Sequence, residues 1–237
     1  MKMIINGKEK EASDGKTIEV INPATGKLVD TVPSAAEEDV NEAVAAAVSA
    51  QKEWAEVPVY AKVEILHVFL QKVEENKETL ARMLSDETGK PIREARAEIG
   101  NIPIAFHAFS EKAKHLYGDV VPAGLEAGQD KTILFTQREP IGVVACVIPF
   151  NFPCDLFDQK VAPALLCGNA VIVKPSTDNP LTLCMLTKLL AESGVTEGAI
   201  QILTGRGSTV GASLCGHKDI HLVTLTGSTE VGVETAK

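Results

Sequence analysis

Gly142-Val143-Val144-Ala145-Cys146-Val147-Ile148, closed by Pro149-Phe150-Asn151-Phe152-Pro153, is the stretch on which the fold turns. It is a short, unbroken apolar run rich in valine, and it stops at a pair of prolines. A run of this kind reads as a strand covered on both faces. Three more follow it, Ala170 to Lys174, Ala199 to Leu203 and His221 to Thr226, with helical patterns between them. That alternation predicts a parallel sheet with crossover helices, and hence an α/β fold. Gly168 and Gly194 stand where helix C-caps are wanted before the next strand. Ligands of such sheets gather beyond the carboxyl ends of the strands, so the residues just after each run are the candidates for chemistry.

Upstream of Ile141 the texture differs. Ser34-Ala35-Ala36-Glu37 reads as a capping box that starts a helix with the apolar face Val40, Ala43, Val44, Ala47 and Val48. Pro58 and the stripe Val59, Val63, Leu66, Leu70 and Val73 predict a second helix. Leu80, Met83 and Leu84 predict a third, ended by Gly89 and Pro91. A fourth pattern runs from about Ile92 to Leu116, where Pro103 is expected to bend or break it for want of an N–H. The first half is therefore expected to be mainly helical. Val120 to Gly128 reads as loop or extended chain and Thr132 to Gln137 as strand, together an exposed arm.

A net charge of -9 argues against a general affinity for nucleic acid or anionic membrane, which would need a basic face. The apolar stretch at Met1 to Gly7 is too short for a secretory signal, and no later window could span a bilayer; a cytoplasmic protein is expected. The five cysteines, at 146, 154, 167, 184 and 215, are irregularly spaced and read as free thiols buried among apolar neighbours. Cys154, beside the proline turn, is the one least clearly buried. His217 and His221 straddle a loop and a strand, so no metal site is expected.

The strand ends carry distinctive residues. Gly227-Ser228-Thr229-Glu230-Val231-Gly232 leads from a strand into a helix and leaves amides free at the positive helix end, where a phosphate would be stabilised. Glycine and serine there are also ordinary turn chemistry. Gly205-Arg206-Gly207 is no more specific. Lys174 ends an apolar strand; its ammonium could hold nucleotide hydroxyls or phosphates, or could simply snorkel to water. Asn151, between two aromatics and two prolines, is stiffly held, and an oriented amide N–H can stabilise a developing oxyanion.

Taken together and in order, these segments resemble the aldehyde dehydrogenase superfamily along the whole chain. The resemblance rests on Glu139-Pro140-Ile141-Gly142-Val143-Val144, Ile148 to Pro153, Pro163-Ala164-Leu165, Gly168-Asn169-Ala170, Val173-Lys174-Pro175-Ser176 and Thr226 to Gly232. Ile21-Asn22-Pro23-Ala24-Thr25-Gly26 is similar to the family's opening strand and turn. The resemblance implies a Rossmann-like cofactor domain, with residues 1–118 as its N-terminal part and 141–237 as its core. Residues 119–140 would form a β-hairpin oligomerisation arm in a homodimer or homotetramer. It further implies NAD or NADP as cofactor and a small aldehyde as substrate. Lys174, with Ser176 and Thr177, would bind the adenosine ribose, and Asn151 would supply the oxyanion-hole amide. Val147, Ile148, Pro149 and Phe150 would line the cofactor cleft. Gly207 and Gly211 would let adenine approach the backbone, and Thr226, Gly227, Ser228 and Val231 would meet the pyrophosphate region. Thr177 is neutral where NAD-preferring relatives often carry glutamate, so NADP is expected to be accepted.

In that family a cysteine thiolate attacks the aldehyde and a glutamate helps water release the product. The glutamate belongs to a Glu-Leu-Gly-Gly motif beyond the segment matching Thr226 to Gly232, and the cysteine to a second domain. The chain is therefore expected to stop before both and to be inactive alone. Two departures stand out: Phe150, where many members have tryptophan, and Leu225, where many have phenylalanine. The first makes the chain most similar to the lactaldehyde and non-phosphorylating glyceraldehyde 3-phosphate branches. The alternative is a nucleotide-binding or assembly module without catalysis.

Overall fold

A computed structural model describes residues 1–237. The chain opens with two antiparallel pairs, β1 (Met3–Ile5) with β2 (Lys8–Lys10) and β3 (Thr17–Ile21) with β4 (Leu28–Pro33). Four helices follow: α1 (Glu37–Glu56), α2 (Val59–Glu75), α3 (Lys77–Thr88) and α4 (Ile92–Ala113). A hairpin of β5 (Val120–Val121) and β6 (Leu134–Phe135) leads into β7 (Val143–Val147), α5 (Pro153–Leu166), β8 (Ala170–Lys174), α6 (Leu181–Ala191) and β9 (Ile200–Ile202). A π-helical turn (Gly207–Gly211), α7 (Ala212–Cys215), β10 (Leu222–Leu225) and α8 (Thr229–Thr235) complete it.

The main sheet has the order β10-β7-β8-β9-β1-β2. The first four strands are parallel, as their apolar runs predict, and β8 has the bounds read from the sequence. β1 and β2 extend the sheet antiparallel, an addition that the sequence does not announce because three-residue strands carry too little periodicity. β7 and β8 are covered on both faces, by α1 on one side and α5 on the other, so nearly every residue in them is buried. One core of large side chains, including Trp54, Phe69, Phe106 and Phe157, joins the helices to that sheet.

Three local expectations are corrected. Helix α1 is capped by Ala36 and not by Ser34: the Asp39 carboxylate accepts from the Ala36 amide at 2.7 Å, while the Ser34 amide donates to the Lys16 carbonyl. An acidic residue at the third helical position does the work assigned to Glu37. Pro103 does not break α4, which runs unbroken through it, because packing against α3 and α5 holds the helix where the lost N–H would weaken it. Cys154 is fully buried on α5, and the exposed thiol is Cys167, just past the end of that helix.

Gly168 connects α5 to β8 at φ +83°, and a Cβ there would lie 2.9 Å from Pro140 and 3.3 Å from the Ala55 backbone. Only glycine allows that close turn. Next to it, Asn169 accepts from the amides of Ile141 and Gly142 at 2.7 and 3.0 Å, which ties the start of β7 to the start of β8. No helix is long and apolar enough to cross a membrane.

Candidate functional site

The carboxyl ends of β10, β7, β8 and β9 lie side by side and bring most of the singled-out residues to one edge of the sheet. Val147 stands opposite both Lys174 and Leu225 in register, the Ile148 amide donates to the Lys174 carbonyl at 2.9 Å, and the Thr226 amide donates to the Val147 carbonyl at 3.3 Å. Thr177 is joined to the loop after β9 by its hydroxyl, which donates to the Gly205 carbonyl at 3.2 Å. That proton is thereby committed. Ser176 serves its own turn, its hydroxyl accepting from the Asp178 amide.

Lys174 is 4% exposed, with its Nζ donating to the Pro175 carbonyl at 2.7 Å. Burial lowers its pKa to about 8, opposed by the charge of Asp178. A buried ammonium with one carbonyl acceptor retains donors for a further partner. Gly207 and Gly211 bound the π-helical turn beyond β9, and a Cβ at either would meet no atom within 4 Å. Thr226, Gly227, Ser228 and Val231 are exposed at the start of α8, where Ser228 Oγ accepts from the Val231 amide at 3.3 Å. A buried cation, open glycine backbone and a capped helix start fit a nucleotide laid across the strand ends.

Asn151 lies in the connection from β7 to α5, between exposed Phe150 and Phe152. The Phe150 carbonyl accepts from Asn179 Nδ2 at 2.9 Å and the Asn151 carbonyl from Lys90 Nζ at 3.0 Å. Pro153 then begins the helix, with its fixed φ suited to that position. The backbone of the loop is thus pinned by distant side chains, and the Asn151 side chain stands in the exposed part of it.

Several buried polar residues around this loop escape sequence reasoning. Glu98 forms an ion pair with Lys90 and accepts from the Cys154 amide at 2.9 Å. Glu87 accepts from the Leu181 and Thr182 amides at 2.6 and 2.9 Å, and burial pushes its carboxyl up to about 7. Asp158 is buried with neither carboxylate oxygen hydrogen-bonded, and burial, with Asp155 nearby, pushes it up to about 8. The available signal is positional. Glu87 falls on the apolar stripe of Leu80 and Leu84, Glu98 on that of Ala95, Ile99 and Ile102, and Asp158 on that of Cys154, Phe157 and Val161.

None of the five thiols is set up as a thiolate. Burial pushes Cys146 up to about 12 and raises Cys154 and Cys184 as well, and it also raises the less buried Cys167 and Cys215.

Residues 10–237 match the sequence profile of the aldehyde dehydrogenase family. The chain is 37% identical over 232 residues to D-glyceraldehyde dehydrogenase (NADP(+)) of Picrophilus torridus, covering 98% of this chain and 46% of that protein. The crystal structure of NADP-dependent glyceraldehyde-3-phosphate dehydrogenase from Bacillus halodurans, complexed with NADP, superposes with a TM-score of 0.96 at 34% identity, over 99% of this chain and 50% of that one. Betaine aldehyde dehydrogenase from Staphylococcus aureus, in complex with NAD+, gives 0.94 at 30% identity, over 99% and 46%. The chain thus spans about half the length of the relatives it matches. With that match along nearly its whole length and the Rossmann-like architecture those structures share, the chain belongs to the aldehyde dehydrogenase family.

Proposed function

We propose that this chain supplies coenzyme binding and the oxyanion-hole amide of an enzyme that converts an aldehyde, water and oxidised NAD(P) into a carboxylate, reduced NAD(P) and two protons. The carrying observation is Lys174, a buried ammonium at the end of β8 beside the β7 end that leads to Asn151. The coenzyme would accept hydride from the substrate. Lys174 holds the adenosine ribose, with Ser176 and Thr177 beside it. Val147, Ile148, Pro149 and Phe150 form a cleft wall. Gly207 and Gly211 leave room for adenine, and Thr226, Gly227, Ser228 and Val231 face the pyrophosphate. The Asn151 amide donates to the oxygen that develops negative charge as the aldehyde is attacked. Because Thr177 carries no charge to repel a 2′-phosphate and the Lys174 ammonium stands beside it, NADP is accepted. The NADP-dependent relatives support that choice.

The β5–β6 hairpin exposes Val120, Leu134 and Phe135, and we assign residues 119–140 to contacts between subunits of a homodimer or homotetramer. The five unpaired thiols fit a cytoplasmic setting. The 237-residue chain by itself is expected not to oxidise aldehydes, because burial raises all five of its thiols and so disfavours the thiolate that would have to attack. The test compares this chain with the complete native gene product for aldehyde-dependent NAD(P)H formation on short aldehydes, glyceraldehyde included. Turnover by the complete protein alone is expected. Steady turnover by the 237-residue chain, abolished by Cys167→Ser, would refute the division of labour, and no turnover by the complete protein would refute the activity.

Coenzyme binding carries a pH signature. In the free protein Lys174 loses its proton as pH rises through about 8, against 10.5 for an ordinary lysine. The charge-assisted contact is therefore full below that pH and weakens above it. NADP affinity, titrated from about pH 6 to 9.5, is expected to fall through this window. Lys174→Ala should lose roughly 1.5 to 3 kcal/mol at neutral pH and the pH break with it. A flat profile in the unsubstituted protein together with unchanged affinity in Lys174→Ala would remove Lys174 from the site.

A further inference from the structure

We propose that Lys90 and Glu98 are positioning residues for Asn151: an ion pair, brought from the α3–α4 corner, that fixes the backbone at Asn151 and just after it. The inference rests on the oxyanion role assigned to Asn151 above. Lys90 Nζ meets three things at once. It pairs with Glu98 Oε2, donates to the Asn151 carbonyl at 3.0 Å and lies 4.2 Å from the centre of the Phe152 ring. Glu98 uses its other oxygen, Oε1, to accept from the Cys154 amide at 2.9 Å. One ion pair thereby holds residues 151, 152 and 154, the last residues of the loop and the start of α5.

Burial gives the arrangement its stiffness. The Glu98 side chain is 2% exposed and that of Lys90 12%, so the carboxylate is held away from water and keeps the half-buried Lys90 ammonium beside it. Moving Asn151 by an ångström would break the Lys90 contact with its carbonyl, which lies on the exposed side of the pair, while Glu98, buried behind it, keeps Lys90 in place. The sequence supports the same reading. Gly89, in the left-handed conformation at φ +72°, ends α3, and Pro91 precedes α4, so Lys90 sits on a short, fixed corner that aims its side chain at the loop. A surface role would not need Glu98 on the buried stripe of α4.

The test uses the complete native enzyme. Lys90→Met is expected to lower kcat about 10- to 100-fold while leaving the coenzyme KM within about twofold, because a misplaced amide costs transition-state contact and not coenzyme contact. Lys90→Arg should restore part of the loss. Because Lys90→Met strands the Glu98 charge and could unfold the protein, Lys90→Met/Glu98→Gln is measured in parallel; it removes the pair but retains an acceptor for the Cys154 amide. The Asn151→Ala/Lys90→Met double variant should turn over no more slowly than Asn151→Ala alone, since a residue that acts through Asn151 has nothing left to act on. Losses that multiply would overturn the proposal, as would unchanged kcat in the folded Lys90 variants. Amide exchange at Phe152 and Cys154 separates this proposal from the role of Asn151 itself. If Asn151→Ala keeps its turnover, the oxyanion reading fails, yet faster exchange at these amides in the Lys90 variants still supports the clamp and unchanged exchange overturns it.

Discussion

Replacing Asn151 with alanine should cut kcat in the complete enzyme by about 10² to 10³, equivalent to about 2.7 to 4 kcal/mol of transition-state stabilisation, with coenzyme affinity nearly unchanged. The size follows from pre-organisation. The connection from β7 to α5 is held at three points: Asn179 on the Phe150 carbonyl, Lys90 on the Asn151 carbonyl and Glu98 on the Cys154 amide. A donor carried on a backbone fixed in this way has less to reorganise when charge develops, so its removal costs more than an ordinary hydrogen bond. Of the proposed coenzyme contacts only the cleft wall from Val147 to Phe150 shares the β7 connection with Asn151, and the rest lie on the ends of β8, β9 and β10, which is why affinity should change far less than turnover. Single-turnover kinetics with a short aldehyde, alongside coenzyme titration, checks both halves. Retention of most turnover would refute the role, and a matching loss of coenzyme affinity would show that the loop had collapsed instead. Asn151→Asp gives a control of similar shape, which puts an acceptor where a donor is needed and should be no more active.

What the sequence makes legible depends on how local the cause is. Ala170 to Lys174 can be read to the residue because five consecutive positions are all buried, and an uninterrupted apolar run of that length suits a strand covered on both faces better than any helix surface. The strand-end loops follow from that reading through a general rule of open α/β sheets. β1 is not legible: it joins the sheet only because Ile4 pairs with Ile202, a partner almost the whole chain away. The capping of α1 is misread for a related reason. Ser34 is a good capping residue in isolation, but its amide is already used by the Lys16 carbonyl, and the chain does not turn into a helix until Ala36. The ion pair behind Asn151 is half legible. Glu98 breaks an apolar stripe, which marks it as a buried charge in need of a partner, but nothing local says that the partner is Lys90 or that both grip a loop more than fifty residues away.

Trp54→Ala should cost about 3 to 5 kcal/mol of folding stability, which is a large share of what a domain of this size possesses. Trp54 is fully buried on α1, the helix that packs on β8, and Lys62 Nζ lies 5.4 Å from its ring centre. The indole N–H donates to the Leu165 carbonyl at 2.9 Å, near the end of α5. That carbonyl also accepts from the Gly168 amide at 2.9 Å, so it is not orphaned when the indole goes. The loss is therefore mainly the apolar transfer and the cavity left in a packed core, with a smaller part from the lost hydrogen bond. Trp54→Phe, which keeps a ring and loses the N–H, should cost clearly less, on the order of 1 to 2 kcal/mol. Urea denaturation of the same chain, read as the shift in midpoint at constant slope, measures both substitutions. A Trp54→Ala loss below about 1 kcal/mol would mean that α1 and the sheet do not share a core, and the support beneath Lys174 would then have to come from α5 and α6 alone.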